Sequence, residues 1–389
     1  MELNSTNCKD IFDSILEYIK DLVRVQNLLI TYIDEDENEN ENYTDLTNYI
    51  QSSKILEDKD KSKSFFHLLS CIFNNHHRKA SFLRKIDQLT NQYKKDLFKH
   101  FSEDVILDLF RVNKRFALSI FGDPQNNEKL NPELIKKLHY SNDKKDTEEK
   151  FEMKIRDGEN DELLQEYIRK DEIEQFVTLL TQKAIHINHI INHSQFESHS
   201  YLNDNSVSLI EYAAFFGSIQ IFHNLKYSDA KLSQNLWPTV IHGRNNDLVH
   251  ILEENKIDLP KDGYVSVAQE AIRCHHNEYV DYIKNNLYND ETLNSIKTEQ
   301  KALYAAFEAY NFEIMEQQLQ VENIVLDQNI FRILLENDYY YILKILIDSK
   351  QFNVNSKLGG IFLFIFFFMN FHLCILPLLK EVVKLCSYF

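Results

Sequence analysis

Ser208-Leu-Ile-Glu-Tyr-Ala-Ala-Phe-Phe-Gly217-Ser-Ile-Gln-Ile-Phe-His-Asn-Leu225 is the stretch whose reading decides the fold. Ser208 and Glu211 have the spacing of a capping box, in which each side chain satisfies a free amide of the other residue at a helix start. Ala213 and Ala214 are small enough to let a second helix approach closely. Gly217 can enter the left-handed region at no steric cost and so can end the first helix. Ile221, Phe222 and Leu225 then give a second helix an apolar stripe. The stretch predicts two short antiparallel helices around a glycine turn.

The second stripe recurs downstream. It returns as Leu248-Val249-Leu252, Tyr279-Val280-Ile283, Ile314-Met315 and Ile342-Leu343-Leu346, with an earlier fragment at Phe176-Val177-Leu180. Starts at 176, 221, 248, 279, 314 and 342 give intervals of 45, 27, 31, 35 and 28 residues. These centre near ~33, the length of a two-helix repeat unit. A small residue recurs four places before the turn, as Ala271 and Ala306.

The segment 208–225 resembles the ankyrin consensus Thr-Pro-Leu-His-x-Ala-Ala-x-x-Gly followed by a Leu-Glu-Ile-Val-x-x-Leu-Leu helix. Ala213, Ala214 and Gly217 match outright; Ser208 takes the Thr place, Leu209 the Pro place, Ile210 the Leu place and Glu211 the His place. Together with Ile241-His-Gly-Arg-Asn-Asn-Asp-Leu-Val249 and Ala271-Ile-Arg-Cys-His-His-Asn-Glu278 it is similar to a divergent ankyrin family expanded in parasitic protists. Members of that family carry a helical N-terminal region ahead of the repeats. The resemblance implies a hairpin loop in each unit, and Asp258–Gly263 and Leu287–Glu291 have suitable turn chemistry. It also implies partner binding through the hairpin tips and the outer side of the first helices, which places Tyr212, Phe215, His242, Glu270, Arg273, Glu308 and Glu336 in contact with a protein partner. The glycine place holds Arg244, His275, Tyr310 and Asp338 in later copies, so a different turn geometry is expected there.

The 389 residues are too many for one compact core. Only 7 Gly and 5 Pro are present, which suits helices joined by short polar turns, and the fold class expected is all-α. Residues 1–140 read as a helical N-terminal region. Its segments fall near 8–33, 43–57, 62–76, 81–101, 103–112 and 114–121, with Ile11, Ile15, Ile19, Leu22, Val25 and Leu29 as the stripe of the first. Asn131-Pro132 is a further helix start. Residues 141–160 read as a polar linker, 161–357 as ankyrin-like repeats forming a solenoid of short helix pairs, and 358–389 as an apolar tail.

A net charge of −17 with no basic stripe argues against nucleic acid and weakly favours a basic partner. Five widely spaced cysteines without Cys-x-x-Cys point to reduced thiols and a cytoplasmic protein. No Gly-x-Gly-x-x-Gly, Walker loop or Gly-x-Ser-x-Gly occurs, so the sequence predicts no enzyme, no cofactor and no small-molecule substrate. His186, His189 and His193 have helix-compatible metal spacing but sit where a polar loop is expected, and no metal site is assigned to them.

The tail is the unresolved part of the pattern. Residues 358–379 are 22 in a row without Asp, Glu, Lys or Arg. Three readings fit: a membrane anchor over 359–379, a capping helix, or a mistranslated gene end. The function expected is a protein-interaction scaffold, with a tail-anchored membrane adaptor as the alternative.

Overall fold

A computed structural model describes residues 5–111, 113–122, 129–142, 146–293 and 295–349. The apolar tail, 358–389, lies outside them. The described part is helical, and its only β pairing is an isolated antiparallel bridge between Ile190 and Ser208. The first helices are α1 (Ser5–Asp34), α2 (Glu39–Ser53), α3 (Lys59–Asn75), α4 (Phe82–His100), α5 (Glu103–Phe110), α6 (Lys114–Phe121), α7 (Pro132–Lys137) and α8 (Glu148–Asp157). Next come α9 (Leu163–Arg169), α10 (Ile173–Gln182), α11 (Ser200–Asp204), α12 (Leu209–Phe215), α13 (Ile219–Tyr227), α14 (Leu236–Gly243) and α15 (Asn246–Glu254). The last are α16 (Tyr264–Arg273), α17 (Asn277–Asn286), α18 (Asp290–Leu293), α19 (Ile296–Ala309), α20 (Phe312–Leu319), α21 (Gln328–Glu336) and α22 (Tyr340–Asp348).

The chain forms two compact units that interleave in sequence. One takes Met1–His67, Asp96–Leu109 and Ile296–Phe389; the other takes Leu68–Lys95 and Phe110–Ser295. The helices expected as a separate N-terminal region are therefore shared between units, each of which also contains packed helix pairs from the later part of the chain. The expected linker is also revised. Asn142 and Asp146 exchange hydrogen bonds, Thr147 caps α8, and Phe151 and Ile155 bury that helix in the second unit. Two apolar residues four apart are enough to dock one side of a charged helix, and composition alone hides them.

In the second unit the pairs α9/α10, α12/α13, α14/α15 and α16/α17 each pack on themselves. The first helices also pack on one another, α9 on α12, α12 on α14 and α14 on α16. In the first unit α19/α20 and α21/α22 pair in the same way, with α19 against α21. The stripes explain this. Ile221, Phe222, Leu225, Leu248, Leu252, Ile342 and Met315 are completely or almost completely buried. In α10 the register differs from the sequence reading. Phe176 and Leu179 are buried and Val177 is exposed. The long first interval comes from an insertion, residues 186–207, which contains α11 and closes on itself through Ile191 N–H to Val207 O, 2.8 Å, and Leu209 N–H to His189 O, 3.1 Å.

The turns are the clearest regularity. After α12, Gly217 adopts φ +67°, its amide donates to Ala214 O, and the Ser218 amide donates to Ala213 O. This pair of bonds is the Schellman motif. The same two bonds close α9 (Asp171, Glu172), α16 (His275, His276), α19 (Tyr310, Asn311) and α21 (Asp338, Tyr339). The expectation of another geometry at the non-glycine places is thus overturned. Arg244, His275, Tyr310 and Asp338 all sit at positive φ, between 47° and 58°. A left-handed L-residue costs ~1–2 kcal/mol, and Asp171, Arg244 and Tyr310 offset it with bonds to the next pair. Asp171 accepts the Gln220 and Ile221 amides at 3.0 Å and so caps α13. Arg244 donates Nε–H to Glu278 at 2.7 Å. Tyr310 donates its hydroxyl to Asn337 O and stacks on Tyr339 at 4.4 Å.

The expected hairpins are absent from their places. Residues 258–263 form an irregular turn, and 290–293 form the short helix α18. In the first unit α1 packs on α2, α20 and α22, with all six stripe residues named from sequence buried. Its buried Gln26 holds the 310–312 turn, donating to Asn311 Oδ1 at 2.9 Å and accepting the Phe312 amide at 2.6 Å.

Candidate functional site

The residues expected to meet a partner separate into three groups. Glu308 on α19 and Glu336 on α21 are exposed on the first unit, each close to the end of a first helix. Tyr212 is 1% exposed and turned inward; its hydroxyl accepts from Arg169 Nη1 at 3.0 Å, and Arg169 Nε meets Glu159 at 2.7 Å. The other four, Phe215, His242, Glu270 and Arg273, converge on one cluster in the second unit.

That cluster follows from the stacking of α12, α14 and α16. Phe215 ends α12, His242 lies in the last turn of α14, and Glu270 and Arg273 lie in the last turn of α16, with Cys274 just beyond. Equivalent helix ends thus come together on one flank. His242 stacks on Phe215 with centroids 4.6 Å apart, and Tyr201 of α11 covers both rings, at 5.0 Å from His242 and 5.9 Å from Phe215. His242 is 2% exposed and Phe215 3%. Tyr212, Phe215 and His242 are therefore corrected from surface contacts to buried ones. The insertion carrying His199 and Tyr201, together with the end of α3, occupies the side that an uncovered array would expose.

The polar bonds of the cluster are specific. Asn75 O at the end of α3 faces His242 Nδ1 at 3.1 Å, so that nitrogen carries a proton. His242 Nε2 lies 2.8 Å from Glu270 Oε1, and Glu270 Oε2 accepts from Arg273 Nη1 at 3.3 Å. Cys274 Sγ lies 3.3 Å from His242 Nδ1 and 3.7 Å from Nε2. His76 Nδ1 donates to Cys274 O at 2.8 Å. Burial raises the Glu270 carboxyl, but the hydrogen bond and charge of His242, helped by Arg273, outweigh it and leave the group below its ordinary value. Burial, reinforced by the Glu270 charge, lifts the Cys274 thiol well above its ordinary value. The adjacent His276 is held neutral. Burial and the neighbouring His76 lower it, Nδ1 donates to Ile241 O at 3.0 Å, and Nε2 accepts the His77 amide at 3.4 Å.

A second polar feature lies in the same unit. A cavity of about 190 Å³ is lined by Asn74, Asn113, Lys114, Arg115, Glu197 and Asn203, among others. Its wall is fixed by a buried ion pair in which Arg115 Nη2 and Nη1 donate to Asp87 at 2.8 and 3.1 Å, with Ser119 donating to the same carboxylate at 2.5 Å. Glu197 Oε1 accepts the Ser198 and His199 amides at 2.8 and 2.9 Å, and burial raises its carboxyl.

Among the described residues, His242, Glu270 and Cys274 form the group of ligating side chains with metal-compatible spacing. His186, His189 and His193 are not part of it; they lie on the inserted loop, with His186 and His193 exposed. Sequence reasoning missed the cluster because its members sit 28 and 4 residues apart on two helices, and only the superposition of repeats aligns them. The signal available was the repeat register: Phe215, His242 and Arg273 each lie two residues before the left-handed residue of their turn, and Glu270 lies one helical turn before Arg273. Comparison with protein-family models, with curated proteins and with solved structures finds nothing that matches this chain.

Proposed function

We propose that the chain is a divergent ankyrin-like repeat protein, a solenoid of short helix pairs that binds a protein partner and carries no enzymatic activity of its own. The observation that supports this reading is the recurring Schellman turn, with a left-handed residue at Asp171, Gly217, His275, Tyr310 and Asp338, between helices whose first members pack side by side. Stacked repeats present an extended flank to a partner, and this is how such arrays bind. The contact surface differs from the one expected from the resemblance. With Tyr212, Phe215 and His242 buried, recognition is assigned within each unit separately: to the exposed loops around Lys231–Asn235 and Asn255–Asp262 in the second, and to Glu308 and Glu336 in the first.

The net charge of −17 favours a basic partner. Charge reversal of Glu308 and Glu336 to lysine tests this. The double variant is expected to melt like the wild type, since both side chains are exposed, and to lose roughly tenfold in affinity for a captured partner, with the loss shrinking at high salt. Unchanged affinity across the charge-reversed chain and across loop variants of 231–235 and 255–262 would remove the proposal. The membrane-tethered alternative rests on residues 359–379, outside the described residues; no helix among the described residues is long and apolar enough to cross a membrane.

A further inference from the structure

We propose that His242, Glu270 and Cys274 form a binding site for a thiophilic divalent metal ion, zinc by its chemistry, which fastens the helix pair of α14 to that of α16. This goes beyond the partner-binding reading and does not rest on it.

The first argument is the donor set. One imidazole, one carboxylate and one thiol offer a single ligand atom each, and these atoms lie within 4.8 Å of one another. Cys274 is completely buried and His242 nearly so, whereas exposed acids that merely neighbour one another are common without any ion. Nitrogen, oxygen and sulfur together select zinc or a similar ion over magnesium and calcium, which prefer oxygen alone.

The second argument is geometry. Zinc–sulfur bonds of ~2.3 Å and zinc–nitrogen or zinc–oxygen bonds of ~2.0–2.1 Å set tetrahedral edges of about 3.5 Å for N···S and about 3.3 Å for N···O. The observed edges are 3.7 Å from Cys274 Sγ to His242 Nε2 and 2.8 Å from His242 Nε2 to Glu270 Oε1. A rotation of the Glu270 carboxylate opens the second by about half an ångström. Sγ lies nearer to Nδ1, at 3.3 Å, so ligation also requires Cys274 to turn about its Cα–Cβ bond and carry the sulfur to the Nε2 side.

The third argument is the support behind each ligand. His242 gives its Nδ1 proton to Asn75 O, the outer hydrogen bond that fixes a metal-binding histidine with Nε2 turned to the ion. Arg273 holds the second oxygen of Glu270, and His76 holds the Cys274 carbonyl. Without an ion, the Nε2 lone pair and the carboxylate oxygen need a proton between them. Metal binding releases that proton and the thiol proton, the ion takes three protein bonds, and water from the partly exposed Glu270 side completes the fourth.

The test is a titration of the full chain, reduced and metal-free, with cobalt(II), followed by competition with zinc. The expected result is one equivalent of cobalt with a thiolate-to-cobalt charge-transfer band in the near ultraviolet, displaced by zinc. Cys274→Ser abolishes the band and Cys71→Ser retains it. Glu270→Gln, which preserves the side-chain shape, weakens binding at least about tenfold. Circular dichroism confirms that each variant is folded; should Cys274→Ser unfold, the Glu270→Gln affinity decides. Cobalt binding without the charge-transfer band, a band that survives in folded Cys274→Ser, or equal affinity in Glu270→Gln would each overturn the site.

Discussion

Gly217 shows how much one backbone conformation carries. At φ +67° it turns the chain from α12 into α13 and donates to Ala214 O, while its own α-carbon faces Gly243. A β-carbon there would sit 3.2 Å from Gly243 O, and any L-residue resists the left-handed region. Gly217→Val is therefore expected to cost ~1–2 kcal/mol, and more if the valine branch meets that carbonyl. At the scale of ~2–4 °C per kcal/mol for a unit of this size, thermal unfolding should show a drop of several degrees. An unchanged midpoint would mean that the turn relaxes freely. This residue was legible in the sequence, because a lone glycine after two alanines has few other uses. The left-handed Arg244, His275, Tyr310 and Asp338 were not legible, because their conformation is imposed by stacking and opposed by local preference. Nor was the burial of His242, whose partners Asn75 and Tyr201 are far from it in the chain.

At the scale of the element, helix positions were legible where an apolar stripe ran long enough. The reading of α1 from Ile11 to Leu29 was matched by burial of every named residue, and Asn131 with Pro132 starts α7 through a side-chain cap on the Glu133 amide. Short charged helices were not legible: α8 was hidden by its lysines and glutamates, and α18 by turn-forming residues. The links between elements were hidden as well, since they pass through turn residues. Asp171 is the sharpest case, ending α9 in a left-handed conformation and capping α13 some fifty residues later. Asp171→Ala removes the acceptor for two amides and is expected to destabilise the second unit by about 1 kcal/mol, within the range of lost N-caps. Asp171→Asn keeps both an acceptor and a tolerated left-handed residue, so it should unfold close to the wild type. Equal unfolding midpoints for the alanine and asparagine variants would show that the cap contributes nothing.

At the scale of the whole molecule, the all-helical class followed from the shortage of Gly and Pro, and two units followed from length. The compact units follow a different line from the N-terminal and repeat regions read from sequence, because contacts far apart in sequence place α1 with the pairs α19/α20 and α21/α22. The same long-range packing explains why part of the candidate interaction face proved to be interior. What remains central is that α12, α14 and α16 pack side by side at close range, and at Gly243 the end of α14 meets the backbone at the end of α12. A β-carbon on Gly243 would overlap the Ala214 carbonyl oxygen and lie 3.2 Å from the Gly217 amide nitrogen. In an isolated helix Gly→Ala stabilises by up to ~1 kcal/mol, so the sign of the effect separates the two situations. Thermal unfolding of Gly243→Ala is the most direct measurement. Close stacking predicts a midpoint several degrees below the wild type, from ~1–3 kcal/mol of overpacking, whereas a midpoint equal to or above the wild type would contradict it.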